Sequence, residues 1–196
     1  LPPADYRINY KASNGRGVYS FCMCPGGFVV AAASEEGRVV TNGMSYADRD
    51  GENANAALLV TLNPQEFPID GTLGGMYWQR EIEEKAFAAS GSYRAPAQTV
   101  GDFLSGKPST GAGQVQPTYR PGVAWGKVSD ALPGAVSETL RGALPVMDRK
   151  LRGFACLDSV LTGIESRSSS PVRILRDEHF QSALRGLYPC GEGAGY

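Results

Sequence analysis

Short apolar stretches bounded by glycine dominate the first third of the chain. Gly17-Val18-Tyr19-Ser20-Phe21, Gly27-Phe28-Val29-Val30-Ala31 and Gly37-Arg38-Val39-Val40-Thr41-Asn42-Gly43 are rich in β-branched and aromatic residues, which predicts strands in sheet-edge hairpins. Ala56-Ala57-Leu58-Leu59-Val60-Thr61-Leu62 is a continuous apolar run closed by Asn63-Pro64, and it suits a strand buried on both faces. The period then changes. From Gly75 to Ser90, the residues Trp78, Ile82, Ala86 and Ala89 fall on one stripe and Glu81 pairs with Lys85 at i,i+4, so the spacing predicts a helix that Gly91 stops.

From Ser105 to Gly122 the chain turns to Gly, Ser, Pro, Thr and Gln. This predicts a long connection that is surface-exposed or held by a neighbouring domain, dividing a sheet-rich part from a helical one. Val136, Leu140 and Leu144 follow Pro133 at i+4 intervals, and a second turn, Met147 to Leu151, follows Pro145, so a small helical pair is expected. Strands return at Leu157 to Ile164, Val172 to Leu175 and Leu187 to Tyr188. The expected class is α+β, with a mixed, mostly antiparallel sheet and a small helical subregion.

Composition narrows the function classes. Of 196 residues, 42% are hydrophobic and 20% charged, with 19 basic against 20 acidic side chains and a net charge of -1, as in an ordinary globular protein. A chain of this length buries roughly 70% of its unfolded surface without staples. The charge balance argues against a phosphate-backbone binder, so nucleic acid is not an expected partner. No apolar run approaches the roughly 20 residues of a membrane span, and Leu1-Pro2-Pro3-Ala4-Asp5 lacks the features of a signal peptide, so no membrane partner is expected either. The 4 cysteines are too few and too unevenly spread for a disulfide scaffold, which fits a reducing, cytoplasmic setting. The absent initiator Met, together with an abrupt end discussed below, suggests an excised piece.

Few side chains offer catalytic chemistry. The single histidine, His179, lies among Arg176, Asp177 and Glu178, as in a solvated turn, and its being alone excludes multi-histidine metal centres. Gly101-Asp102-Phe103-Leu104-Ser105-Gly106-Lys107 has the spacing of a phosphate-binding loop, but Pro108 replaces the required hydroxyl and Pro96 marks the preceding stretch as a poor central strand. Cys22 and Cys24, beside Pro25-Gly26-Gly27, form either a redox pair or soft-metal ligands, or else act as small buried hydrophobes next to a tight turn. A four-cysteine zinc site is disfavoured, because Cys156 and Cys190 supply no second pair. At the end, Gly186-Leu187-Tyr188-Pro189-Cys190-Gly191-Glu192-Gly193-Ala194-Gly195-Tyr196 runs an apolar stretch into a glycine cluster with one carboxylate. Such a cluster permits close backbone approach to a ligand, and its carboxylate suits hydrogen bonds from ribose or ribityl hydroxyls. The alternative is a flexible glycine tail.

Six blocks, in order, carry a family resemblance: GRGVYSFCMCPGGFVV at 15–30, VVTNGMS at 39–45, YRAPAQTVGDFL at 93–104, TYRPGV at 118–123, ESRSSSPVRILRDE at 165–178 and GLYPCGEGAGY at 186–196. The chain resembles the uncharacterised bacterial FAD-dependent dehydrogenases, also called predicted NAD(FAD)-utilizing dehydrogenases, which are distant relatives of glutathione-reductase-type flavoproteins. The resemblance implies an internal piece of a longer protein, beginning after the GxGxxG turn of the FAD-binding domain and stopping before its last helix. Residues 1–104 would be the sheet-rich part of an inserted substrate or cap domain, 105–153 a linker with the helical subregion, and 154–196 strands returning to the FAD-binding domain.

The resemblance also assigns roles. Gly191, Glu192 and Gly193 would contact the ribityl or pyrophosphate region of FAD, and Ser168, Ser169 and Ser170 would lie near the isoalloxazine ring. Arg167 and Arg173 beside them would help bind a flavin edge or an anionic substrate. The alternative for Ser168 to Pro171 is a polar turn. Cys22 and Cys24 are expected to be reduced, near a flavin-facing or interdomain surface and without zinc. FAD is expected in the full-length parent, with none bound by the chain alone. The partners expected are a small-molecule substrate and the rest of the parent's FAD-binding domain. The expected function is the cap region of a flavin-dependent oxidoreductase, the alternatives being a cofactor-free interaction module or a thiol-redox domain.

Overall fold

The computed structural model describes residues 8–195. In chain order the elements are β1 (Asn9–Lys11), β2 (Gly17–Cys24), β3 (Gly27–Ala31), β4 (Thr41–Ser45), β5 (Asn55–Val60), α1 (Gly74–Ala88), β6 (Ala95–Thr99), α2 (Val100–Ser105), β7 (Val123–Trp125), α3 (Gly134–Lys150) and β8 (Val160–Thr162). Single 3-10 turns lie at Pro64–Glu66, Val128–Asp130 and Glu192–Ala194. The strands form sheets of order β1-β2-β5, β3-β4 and β7-β6-β8. All described pairings are antiparallel except that of β6 with β7. The class is therefore α+β, with mixed, mostly antiparallel sheets and few helices.

The described residues divide into two compact units. One holds residues 8–61 and 82–166, the other 62–81 and 167–195, and α1 belongs to the second at its start and to the first at its end. In the larger unit β2 buries Val18 and Ser20 and exposes Tyr19 and Phe21, the alternation that one covered sheet face requires. β3 and β4 form a hairpin, whereas Pro25-Gly26 passes the chain from one sheet to another. Gly26 has φ 54° and a Cβ there would sit 1.9 Å from the Arg49 carbonyl oxygen, so no other residue fits. Val18, Ala86, Ala97, Phe103, Leu144 and Met147 are all buried and form the core of this unit.

Several expectations from the sequence are corrected. The strand expected at 37–43 begins only at Thr41, although Val39 and Val40 are buried. Of the run expected to be covered on both faces, Leu59 alone is buried within β5. The helical pair is one helix, α3, with Pro145 inside it. Pro145 is exposed, while Ala143, Leu144 and Met147 are buried around it, so continued apolar packing offsets the roughly 3 kcal/mol cost of an interior proline. Neither Val172 to Leu175 nor Leu187 to Tyr188 forms a strand, and β8 is the sole strand described after α3.

Pro96 lies in a central strand after all. β6 bonds β7 through Ala95 and Ala97, so the nitrogen of Pro96 faces the β8 side, where pairing starts only at Ala97 with Thr162. The missing N–H therefore costs no ladder bond. The match to a phosphate-binding loop is also resolved. Residues Val100–Ser105 are helical, with Thr99 Oγ1 accepting from Asp102 N–H at 3.2 Å as N-cap and Gly106 at φ 71° as C-cap.

The long Gly-Ser-Pro-Thr connection is sewn to β6. Gln98, 1% exposed, donates from Nε2 to the Lys107 carbonyl at 2.5 Å and accepts at Oε1 from Val128 N–H at 3.0 Å. Ser109, also buried, accepts at Oγ from Thr99 N–H at 2.9 Å and donates to Asp102 Oδ2 at 2.5 Å. Gln98→Leu keeps the volume, removes the bond to the Lys107 carbonyl and strands the buried Val128 N–H, at an expected cost of about 1–3 kcal/mol. Chemical denaturation measures this, and a loss under about 0.5 kcal/mol, the range of ordinary surface changes, would show that Gln98 does not hold the connection.

Candidate functional site

In the smaller unit the serine segment and the glycine-acid block meet. Ser170 Oγ shares its proton between the carbonyls of Val172 at 2.7 Å and Gly193 at 3.1 Å. Ile174 N–H donates to the Ala194 carbonyl at 2.8 Å. Gly195 closes the contact: with φ 78°, a Cβ there would lie 2.4 Å from the Val172 carbonyl oxygen and 2.7 Å from Arg173 Cα. Only glycine allows backbone to meet backbone this closely. At the other end of the segment, Gln79 Nε2 on α1 donates to the Ser169 carbonyl at 3.5 Å. A Cβ on Gly75 of α1 would meet the Phe67 ring at 2.6 Å and Pro171 at 2.7 Å, so that glycine also makes room for the serine segment.

This arrangement gives the predicted residues different tasks. Ser170 is a positioning residue, its hydroxyl taken up by the turn. Ser168 and Ser169 make no side-chain hydrogen bond among the described residues, and Glu192 is exposed. Gly191, at φ 79°, and Gly193 face open space, since a Cβ on either meets nothing within 4 Å. Arg173 is exposed and Arg167 half-buried. Hydroxyls, one carboxylate and two unobstructed glycines form a donor and acceptor set that fits the polyol and phosphate portions of a dinucleotide. The sequence reading missed Gly195, although its place two residues after Gly193 in a glycine cluster was a signal.

The predicted cysteines lie in the larger unit, at a break in the β2 register between Phe21 and Cys24. Cys22 is exposed and has φ 49°, an uncommon conformation for a residue with a side chain. Cys24 is half-buried, and its thiol donates to the Cys22 carbonyl at 3.2 Å. Burial pushes the Cys24 thiol up, and the nearby charges of Cys22 and Glu165 push the same way, while a hydrogen bond with the Ser45 side chain opposes them. Glu165 itself is pushed up to about 7 by burial. Its position follows from Ile164, whose carbonyl accepts from Thr41 N–H of β4 at 2.8 Å. Glu165 was not singled out from the sequence, although a carboxylate directly after Ile164, at the end of an expected strand, pointed to it.

Elsewhere, an open cleft of about 330 Å3 lies among Glu35, Arg38, Tyr93 and Tyr119, and contains none of the predicted residues. His179 is exposed in a turn closed by Asp177, whose Oδ1 accepts from the N–H groups of His179 and Gln181 at 2.9 Å each. Among the described residues no cluster of three or more His, Cys, Asp or Glu is placed to hold a metal ion, and no helix is long and apolar enough to cross a membrane.

A family described as FAD-dependent protein, C-terminal domain-like, matches residues 1–168. The chain belongs to this family. An uncharacterised protein of Clostridium beijerinckii is 50% identical over 199 residues, covering the whole of this chain, and the chain spans 37% of that relative's length. The family match ends at Ser168, so it covers the thiols and Glu165 and leaves out the glycine-acid block.

Two outcomes test these geometries. Gly195→Ala is expected to break the Ile174 to Ala194 hydrogen bond, because a backbone at φ 78° and ψ 155° is open essentially only to glycine and costs a side chain about 1–3 kcal/mol. Hydrogen exchange at the Ile174 amide should accelerate, and unchanged protection would refute the contact. For Glu165, a folded carboxyl that titrates near 7 against 4.5 unfolded binds its proton more tightly when folded. Its contribution to stability is thus present below about 4.5 and is lost as pH rises toward 7. Solvent screening of this part-exposed group limits the loss to no more than about 2 kcal/mol. Glu165→Gln should flatten that fall in denaturation profiles, and parallel profiles for both proteins would rule it out.

Proposed function

We propose that the chain is the substrate-facing or cap region of a flavin-dependent oxidoreductase, an FAD-dependent dehydrogenase, and that it contributes part of the flavin site. One observation carries the reading furthest: the Ser170 hydroxyl ties the Ser168 to Pro171 segment to Gly193, assembling hydroxyls, an exposed carboxylate and open glycines in a chain of an FAD-dependent family. Flavin, when bound, supplies the hydride chemistry, so the surrounding protein need supply only binding, orientation and exclusion of water.

Each residue then has a limited task. Glu192 accepts hydrogen bonds from ribityl hydroxyls, and Gly191 and Gly193 let that part of the cofactor approach the backbone. Ser168 and Ser169 offer hydroxyls to the ring edge, Ser170 fixes the turn that presents them, and Arg167 and Arg173 favour an anionic small-molecule substrate. The rest of the FAD-binding domain comes from the parent polypeptide, whose length in the relative well exceeds this chain.

The test uses the full-length parent. Losing a hydrogen bond to a charged group costs about 1.5–3 kcal/mol, so Glu192→Ala should lower FAD affinity roughly tenfold to a few hundredfold while leaving the unfolding transition unchanged. The 196-residue chain alone should show no saturable FAD binding tighter than roughly 1 μM. Unaltered FAD occupancy in the Glu192→Ala parent would sink the assignment. A parent that purifies without flavin would favour a cofactor-free interaction module.

A further inference from the structure

The paired thiols of β2 carry a chemistry of their own. In a regular strand, residues two apart point to one face at the outer limit of disulfide reach. Here the register breaks between Phe21 and Cys24, Cys22 takes a left-handed backbone, and the Cys24 thiol folds back to 3.2 Å from the Cys22 carbonyl oxygen. A strand that breaks register and turns a thiol back toward the preceding cysteine's backbone departs from regular strand geometry, and such departures concentrate at functional positions.

The two thiols are also unequal. Cys22 is exposed, while Cys24 is half-buried in a tight setting. A Cβ on Gly27 would fall 2.9 Å from Cys24 Cβ, and one on Gly43 would fall 3.5 Å from its sulfur. These two glycines therefore leave little room beside Cys24 for an incoming molecule. Reagents meet Cys22 first, and Cys24, two residues on, has its sulfur turned toward the Cys22 backbone.

We propose that Cys22 and Cys24 are a dithiol that exchanges with external low-molecular-weight disulfides, Cys22 attacking and Cys24 resolving. Ionised Cys22 attacks one sulfur of the disulfide RSSR, forming a Cys22–S–S–R bond and expelling RS−, which takes up the proton that Cys22 lost. The Cys24 sulfur then attacks the Cys22 sulfur, the Cys22–S–S–Cys24 bond forms, and the second RS− leaves with the Cys24 proton as RSH. The pair loses two electrons and two protons, and RSSR becomes two RSH.

The experiment uses the chain with Cys156→Ser and Cys190→Ser, two exposed positions whose removal leaves only the pair to react. Treated with oxidised glutathione, this protein should lose both thiols together, and peptide mapping should find a Cys22 to Cys24 bond without a lasting adduct. Adding Cys24→Ser should trap glutathione on Cys22, and adding Cys22→Ser should slow modification roughly tenfold or more, because the remaining thiol is shielded. Stable glutathione adducts on both cysteines of the parent background, or Cys22→Ser reacting as fast as that background, would overturn the proposal. No flavin takes part, so failure here leaves the flavin reading standing, and loss of the flavin reading leaves this one standing.

Discussion

The carboxamide of Gln98 holds the larger unit's irregular chain to its central strand. Every buried N–H and C=O must find a partner, and 25 glycines and 13 prolines in 196 residues leave short ladders and long stretches without regular structure. Gln98 meets this with one donor and one acceptor, bonding Lys107 on one side and Val128 on the other from a position almost sealed from solvent. Ser109 repeats the arrangement one residue along, between Thr99 and Asp102. With those bonds in place β7 can lie parallel to β6, since a parallel neighbour needs a long connection and the connection needs an anchor.

Short polar side chains do the same work elsewhere. Asp148 Oδ1 accepts from the N–H groups of Gly153 and Ala155 after α3, and Gln181 Oε1 accepts from Gly186 N–H in the smaller unit. Ser170 belongs to this set. Its role in joining the serine and glycine segments is a case of general backbone satisfaction.

How much of this was legible in the sequence depends on the range of the interaction. Strands β2 and β3 and the α1 helix followed from local periodicity and glycine boundaries, because those signals lie within the element. β7 was not foreseen, since Val123 to Trp125 is three residues long and owes its strand character to pairing with β6. Pro145 pointed to two helices because sequence shows its cost and hides the buried Leu144 and Met147 that offset it. The glycine-acid block could be read from its composition, whereas Gly195 shows its importance only against the Val172 and Arg173 backbone.

The candidate residues fall into two sets that belong to different compact units, and their chemistry gives a reason. Glu192, proposed to accept hydrogen bonds from ligand hydroxyls, is exposed. A carboxyl that holds its proton toward neutral pH needs a desolvated setting, which Glu165 has beside Cys24. One environment cannot meet both requirements, because the burial that raises one group's proton affinity would weaken the other as an acceptor of ligand hydrogen bonds. The two carboxyls lie in different units, Glu165 next to Ile164, which bonds β4, and Glu192 on an exposed glycine turn. On the proposed reading, a flavin site drawn from the second set would need no acid or base of its own, since the chemistry would reside in the cofactor.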